Sequence, residues 1–366
     1  MNALERQIAA EINQKGPIPF ARFMHLALYS PGLGYYERMR PVGRQGDFFT
    51  NVSVGPLFGE LLAWQFAHWL EGGASPSKPL FIEAGAHEGR LAGDILRWLR
   101  RHRPALFGAL TYIIVEPSRP LRQWQQQTLR QQFPCLTWLP SIDALEPRSV
   151  EGIIFSNELL DAMPVHRLAW SSQTRRWFEW HVGLGKTGFA WQPGPLTPQA
   201  GGCLPVLPPA LLAVLPDQYT LEVSPLAIVW WTLAAGRLRS GKLLTIDFGL
   251  TEQEWLRPER CEGTLRTYAQ HRAGASPLEQ VGEQDITAHV NFSALQTAGQ
   301  QAGLDKGDLM RQSQFLAEIA RQSQNSPASA QWWAGSGARQ WVTLTHPEHL
   351  GERFRVLIQS RAATGA

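Results

Sequence analysis

The stretch from Leu80 to Leu96, Leu-Phe-Ile-Glu-Ala-Gly-Ala-His-Glu-Gly-Arg-Leu-Ala-Gly-Asp-Ile-Leu, constrains this chain most. An apolar run over 80–84 reads as a strand that ends on a carboxylate. It passes through a glycine-rich turn and opens an amphipathic helix over 90–101. Glycines at such a turn let the backbone approach a ligand closely, and the following helix directs its free N–H groups to the same spot. A second strand, 111–115, ends beside another carboxylate, Glu116. Two acids at neighbouring strand ends, one glycine turn apart, suit a ribose-bearing cofactor better than they suit a core.

The alternation continues with a helix over 119–132 and strands over 136–139 and 152–155. Short β-rich runs alternating with helices favour a parallel sheet with right-handed crossovers, an α/β fold. Upstream, 1–15 and 56–70 read as helices. Downstream of Pro164 the pattern changes: 167–171, 176–183 and 188–192 read as antiparallel strands, and 193–216 is rich in Pro, Gly and Leu. The α/β pattern resumes with a helix over 225–239 and a strand over 243–246 that ends at Asp247. A helix near 292–302, a strand near 308–312, a helix at 315–323 and a strand near 354–359 close the chain. The expected units are 1–55, an N-terminal cap; 56–166, the first part of the core; 167–217, an insertion; and 218–366, the second part of the core.

At 366 residues, 44% hydrophobic and 18% charged, the chain is long enough for one large α/β domain with insertions. The net charge of +3 is spread along the sequence and makes no electrostatic case for nucleic acid. The densest basic run, Arg97 to Arg103, falls where a helix should end, so compensation of the helix dipole accounts for it. Three widely spaced cysteines, Cys135, Cys203 and Cys261, argue against a disulfide framework and against a zinc site. No apolar run approaches the ~20 residues of a membrane span. The expectation is a soluble protein of a reducing cytoplasm, with no metal.

Four acids fall at strand ends on this reading: Glu83, Glu116, Glu158 and Asp247. Ligands of open α/β sheets sit beyond those ends, although any one acid there also serves as a surface or capping residue. No Gly-Lys-Ser/Thr follows the turn, which excludes a P-loop, and a Gly-x-Gly-x-x-Gly dinucleotide fingerprint is only loosely met. In Asn157-Glu158-Leu159-Leu160-Asp161-Ala162-Met163-Pro164, a helical turn over 158–162 would place Glu158 and Asp161 on one face. That pair reads either as an acidic first turn capped by Asn157, or as a carboxylate clamp beside a substrate. His25, His166, His271 and His289 lack ligand spacing. Trp230-Trp231 and Trp332-Trp333 read as core or rim packing.

With these residues in view, the chain resembles the MidA family of class I S-adenosylmethionine-dependent methyltransferases, of the DUF185 type. The eukaryotic members are arginine methyltransferases of mitochondrial complex I assembly. The likeness runs nearly end to end. It includes the segments from Gly16 to Met24, Tyr29 to Tyr36, Gly46-Asp47-Phe48-Phe49-Thr50 and Val115-Glu116-Pro117-Ser118. Asn157 to His166, Glu222-Val223-Ser224-Pro225, Ile246-Asp247-Phe248-Gly249, Gly263 to Arg266 and Asp285 to Val290 continue it. The resemblance implies a Rossmann-like sheet with helices on both faces. Glu83, Gly85, Ala86 and Gly89 would form the cofactor turn, and Glu116, followed by Pro117, would take both ribose hydroxyls. Gly46, Asp47, Phe48 and Thr50 would fold over the cofactor, Asp143 and Ala144 would lie near the adenine, and Asn157, Glu158 and Asp161 near the reactive methyl.

One departure stands out. Where the family carries Glu-x-Gly-x-Gly-x-Gly, this chain has His87 in place of the middle glycine. A side chain there either crowds the amino-acid end of the cofactor or forces a different backbone angle. Three readings follow: methylation of a protein side chain, arginine by resemblance; methylation of a small molecule; or a silent cofactor-binding scaffold. The expected partner is a protein substrate, with a homodimer allowed and neither nucleic acid nor membrane expected.

Overall fold

The computed structural model describes residues 1–38, 50–72, 76–269, 272–274 and 276–363. At its centre lies a sheet of seven main strands: β1 (Leu80–Ala84), β2 (Thr111–Val115), β3 (Leu136–Leu139), β4 (Val150–Asn157), β5 (Leu238–Leu250), β6 (Asp308–Arg311) and β7 (Phe354–Arg361). Their order across the sheet is β3-β2-β1-β4-β5-β7-β6, and a short eighth strand, Val290–Asn291, pairs with the end of β5. The five strands from β3 to β5 pair in parallel, and β7 runs antiparallel to both of its neighbours. From β1 the chain winds outward through β2 and β3, then returns to the other side of β1 as β4. That reversal opens a crevice beyond the carboxyl ends of β1 and β4, where ligands of doubly wound sheets bind.

Alternation along the strands splits the core into two layers. Phe81, Tyr112, Ile114, Phe155 and Ile246 face helices α3 (Leu57–Glu71) and α4 (Arg90–His102). Ile82, Ile113, Ile154 and Leu243 face the opposite layer, where Trp231 and Phe292 are fully buried on Pro225–Arg237 and Phe292–Gln301. Trp231 also satisfies its indole, donating to Gln359 Oε1 at 2.8 Å. Three of the basic residues read as dipole compensation, Arg100, Arg101 and His102, form the last turn of α4.

The N-terminal helices α1 (Ala3–Lys15) and α2 (Phe20–Tyr29) form a separate layer with its own core. Asn2 and Glu5 make a capping box at the start of α1, and Leu4, Ile8 and Ile12 are buried one helical turn apart. This cap is tied to the insertion. In one antiparallel sheet, Arg176–Leu184 pairs with Ile18–Pro19 on one side and with His166–Ser171 on the other, which in turn pairs with Thr220–Val223. The insertion's sheet therefore reaches beyond 217 and takes in part of the cap. A small sheet of Arg266–Ala269, Arg272–Ala273 and Asp285–Thr287, which the sequence pattern did not suggest, flanks the crevice.

Two local expectations are overturned. Residues 158–162 are not a helical turn: β4 continues through Asn157, and Glu158 adopts a left-handed backbone (φ 52°). Asn157 is a strand residue, not a helix cap. Asp247 does not end its strand either, because β5 continues to Leu250 and buries Asp247 completely.

Candidate active site

The crevice is a cavity of about 1270 Å³. Its floor is the β1 turn. Gly85 (φ 74°), His87 (φ 47°) and Gly89 (φ 78°) all occupy the left-handed region. At Gly85 a Cβ would stand 2.7 Å from Leu159 Cδ1, and at Gly89 2.4 Å from Leu129 Cδ1; those side-chain ends could move aside, so it is the left-handed backbone angle that favours glycine at both positions. Gly89 caps α4 and does not line the cavity, whereas Gly85, Ala86 and His87 do. The departure at His87 does not plug the site. Its ring lies edge-on to Trp124, centroids 5.9 Å apart, and its backbone carbonyl accepts from Gln125 Nε2 at 2.6 Å.

The same Gln125, fully buried, reaches Glu116 Oε2 at 3.3 Å and accepts from Trp138 Nε1 at 3.1 Å. Glu116 Oε1 accepts from the Ser118 backbone at 2.9 Å. Each carboxylate oxygen thus has one donor and spare acceptor capacity, and burial pushes its pKa up to about 7. Glu83 is tied down differently. Burial raises it to about 7 as well, and the Tyr112 hydroxyl donates to it. From the segment after β3, Pro140, Ser141 and Ile142 line the cavity, while Asp143 and Ala144 are exposed beyond the lining.

Opposite the turn stands a second group of acids. Glu158 Oε1 accepts from the Asn51 backbone and from Asn157 Nδ2, both at 2.9 Å. Asn51 Nδ2 donates to Asn157 Oδ1 at 3.2 Å, and buried Gln312 Nε2 donates to Asn51 Oδ1 at 2.8 Å. A relay of amides running back to the helix Gln312–Ser323 therefore fixes the position of Glu158. Burial, opposed by these donors and reinforced by Asp247 and Asp285, pushes Glu158 up to about 8. Asp161 and Asp247 form a hydrogen-bonded pair. Asp247 accepts from the backbone N–H groups of Leu159 (3.1 Å), Leu160 (2.8 Å) and Phe248 (2.8 Å). With so many donors Asp247 is the ionised member, and Asp161, raised by burial and by three neighbouring acids, keeps the proton.

Asn157, Glu158, Asp161, Thr50, Glu116 and Pro117 share this one cavity; Asp247 is not in its lining and serves as an internal anchor for the backbone after β4. Gly46, Asp47, Phe48 and His271 lie outside the described residues. Sequence reasoning missed Asn51, Gln125, Gln312, Tyr36 and Asp285. Tyr36 donates to Asp285 Oδ1 at 2.8 Å on the cavity wall, and both residues fall in segments that match the MidA pattern. Nothing local to Gln125 or Gln312 marks them. Among the histidines, His166 is satisfied by Glu179 at 2.6 Å, and His289 packs parallel to Phe248. Trp231 and Trp332 are core residues, Trp230 borders the cavity and Trp333 is exposed.

The model of one protein family, described as "Putative S-adenosyl-L-methionine-dependent methyltransferase", matches residues 61–310, more than half of the chain. The chain belongs to this family. It is also 27% identical over 383 residues to the mitochondrial protein arginine methyltransferase NDUFAF7 homologue of Drosophila melanogaster, covering 97% of this chain and 84% of that one. The human protein arginine methyltransferase NDUFAF7 is 26% identical over 386 residues, covering 95% and 81%. A solved structure from Burkholderia thailandensis, bound to S-adenosyl-homocysteine, superposes with a TM-score of 0.80 at 33% identity, over 100% of this chain and 93% of that one.

The residues of the crevice fit the cofactor of such an enzyme, S-adenosylmethionine. A diol needs an acceptor with free lone pairs, which Glu116 has. An amino-acid arm needs space and donors, which the left-handed turn and the start of α4 offer. The cavity is large enough for a nucleoside and a second substrate together.

Proposed function

We propose that this methyltransferase acts on an arginine side chain of a protein. The observation that carries the reading is the acid group opposite the cofactor turn, half-buried Glu158 with buried Asp161 and Asp285 around it, in a cavity shared with Glu116. A guanidinium is always protonated and presents a planar fork of donors, which a carboxylate receives in bidentate fashion. The names of the relatives support the same acceptor.

When bound, the cofactor supplies an electrophilic methyl group on a sulfonium. Glu116 takes the ribose hydroxyls and so sets the depth at which the nucleoside sits. Glu158, aligned by Asn51 and Asn157, holds the guanidinium nitrogen on the line of attack; such alignment is worth roughly 7–11 kcal/mol of barrier. As the N–C bond forms and the methyl–sulfur bond breaks, with its electron pair left on sulfur, that nitrogen sheds a proton. Glu158 receives it, because burial has made its carboxylate more basic than an ordinary one. Before a guanidinium arrives Glu158 is largely protonated at neutral pH, and the arriving cation restores its charged form.

The acceptor class is tested by incubating the protein with labelled S-adenosylmethionine and a cell lysate, then separating protein from small molecules. Label on protein, recovered as methylarginine after hydrolysis, is the expected result. Label confined to small molecules overturns the arginine reading. We place the protein in a reducing compartment, the cytoplasm, which its three free cysteines support; fractionation of the native host tests this. We also propose a homodimer. Leu226, Val229 and Leu233, at i, i+3 and i+7 on the helix Pro225–Arg237, are exposed apolar residues that a two-fold axis would bury against their own copies. A monomer by light scattering at micromolar concentration overturns it.

A further inference from the structure

His87 occupies a position where this chain departs from the glycine of its family, at a backbone angle (φ 47°) that a side chain adopts only against strain. Strain of this kind persists where the surroundings hold it in place, and here they do. Gln125 fixes the His87 carbonyl and Trp124 packs on the ring. The ring has one sealed edge: Nδ1 is buried with no hydrogen-bond partner. Burial also pulls the imidazole down to about 4, so it is neutral at physiological pH and carries a single N–H. An N–H buried without a partner costs more than an unused lone pair, so the proton sits on Nε2 and Nδ1 is the bare nitrogen. Nε2 is not among the sealed atoms, and His87 belongs to the cavity lining, so the ring's accessible N–H is available to a ligand there. Of the other side chains on this turn, Arg90 is engaged by Glu88 at 2.8 Å.

We propose that His87 is a cofactor-binding residue whose Nε2–H donates a hydrogen bond to the carboxylate of the cofactor's amino-acid arm. The carboxylate is the anionic acceptor of that arm. It fits beside the first turn of α4, whose amides have no intrahelical partners and whose dipole favours negative charge. Glu116, one strand away, is left to the ribose. The inference rests on the proposed placement of the cofactor in this crevice, and its test separates the two.

The test is calorimetry of S-adenosylhomocysteine and of 5′-methylthioadenosine, which has the same nucleoside and thioether sulfur but no amino-acid arm. Both are titrated into the wild type and into His87→Gly, which restores the family residue and suits the backbone angle. His87→Gly is expected to weaken S-adenosylhomocysteine about tenfold or more, as befits a lost hydrogen bond to a charged group, and to leave methylthioadenosine within twofold. His87→Asn, which tolerates the left-handed region and keeps an N–H donor, is expected to recover part of the loss. Equal affinity of wild type and His87→Gly for S-adenosylhomocysteine overturns the proposal, and so does an equal loss for both ligands, which would mean that His87 only shapes the turn. A wild type that binds neither ligand overturns the cofactor placement itself, and the role of His87 falls with it.

Discussion

Glu116 offers the sharpest quantitative test, because its protonation and its ligand are coupled. In the ligand-free protein its pKa stands at about 7, against an ordinary 4.5, chiefly because burial disfavours the charge. Two hydroxyls donating to its carboxylate would stabilise the charged form and bring the pKa back towards the ordinary value. Binding then expels a proton wherever Glu116 was protonated beforehand. At pH 8 about one protein in ten must lose that proton, and at pH 6 about nine in ten must. For a fall from 7 to 4.5, affinity should therefore drop about tenfold between pH 8 and pH 6, roughly 1.4 kcal/mol. S-adenosylhomocysteine is the appropriate ligand, since it carries no sulfonium and neither its amine nor its carboxylate titrates in this range. Calorimetry in two buffers of different ionisation enthalpy reads both the affinity and the protons released. Glu116→Gln should bind more weakly at pH 8 and lose most of the pH dependence. A wild-type affinity flat from pH 6 to pH 8, or a slope that survives in Glu116→Gln, would refute the assignment of Glu116 to the ribose.

Other outcomes follow from the same geometry. Glu158→Gln should lower kcat by about 10²–10⁴ while leaving S-adenosylhomocysteine affinity within threefold; normal turnover would remove Glu158 from the mechanism. Gln312→Ala deprives Asn51 Oδ1 and the Leu344 carbonyl of their donor, and should cost about 1–3 kcal/mol in denaturant unfolding as well as lowering kcat at unchanged cofactor affinity. For pH and stability the sign follows from Glu83 and Glu116 at about 7 and Glu158 at about 8, all above the 4.5 of the unfolded chain. The folded protein holds protons that the unfolded chain has released, so stability is lost as pH rises through these values. Below pH 6.5 the half-buried His87 and His289, both pulled down to about 4, act in the opposite sense, so the clean window is pH 6.5–8.5. Scanning fluorimetry without ligand should show Tm falling across that window, and a rise would contradict the burial assigned to these acids.

Much of the frame was legible in the chain. The strand–turn–helix at Leu80–Leu96, the strand ending at Glu116 and the antiparallel insertion all appear close to where hydrophobic period and turn residues placed them. Those signals are local: a strand alternates, a helix repeats, and glycine marks a turn. The misreading of residues 158–162 has an equally physical origin. Glu-Leu-Leu-Asp-Ala scores well as a helical turn, but the Asp247 carboxylate captures the N–H groups of Leu159 and Leu160 and fixes an irregular loop instead. A residue 87 positions away decided that conformation, and no window on the sequence contains both.

The same reasoning explains why the acids could be located but their chemistry could not. Position at a strand end is a property of the strand, and it can be read from spacing. Basicity is a property of what surrounds the carboxylate. Glu83, Glu116 and Glu158 look equivalent on paper, yet one is held by the Tyr112 hydroxyl, one shares Gln125 with the glycine turn, and one ends an amide relay that begins at Gln312. Those partners lie 29, 9 and 154 residues away in the chain, the last through Asn51 and Asn157. Asn157 and Glu158 could be chosen as a pair because they are adjacent, whereas the other donor to Glu158, the Asn51 backbone N–H, and the Gln312 amide behind it arrive from two other parts of the fold. The division predicts where experiments on this cavity will separate. Substitutions at Glu116 and Glu158 should act on binding and turnover directly. Those at Gln125 and Gln312 should act through them, with Gln125→Ala raising Glu116 further, so that cofactor affinity weakens at pH 8 and its pH slope moves upward, while methyl transfer at saturating cofactor stays largely intact. A Gln125→Ala protein whose cofactor affinity and pH slope both match the wild type would show that Glu116 needs no such support, and that burial alone sets its basicity.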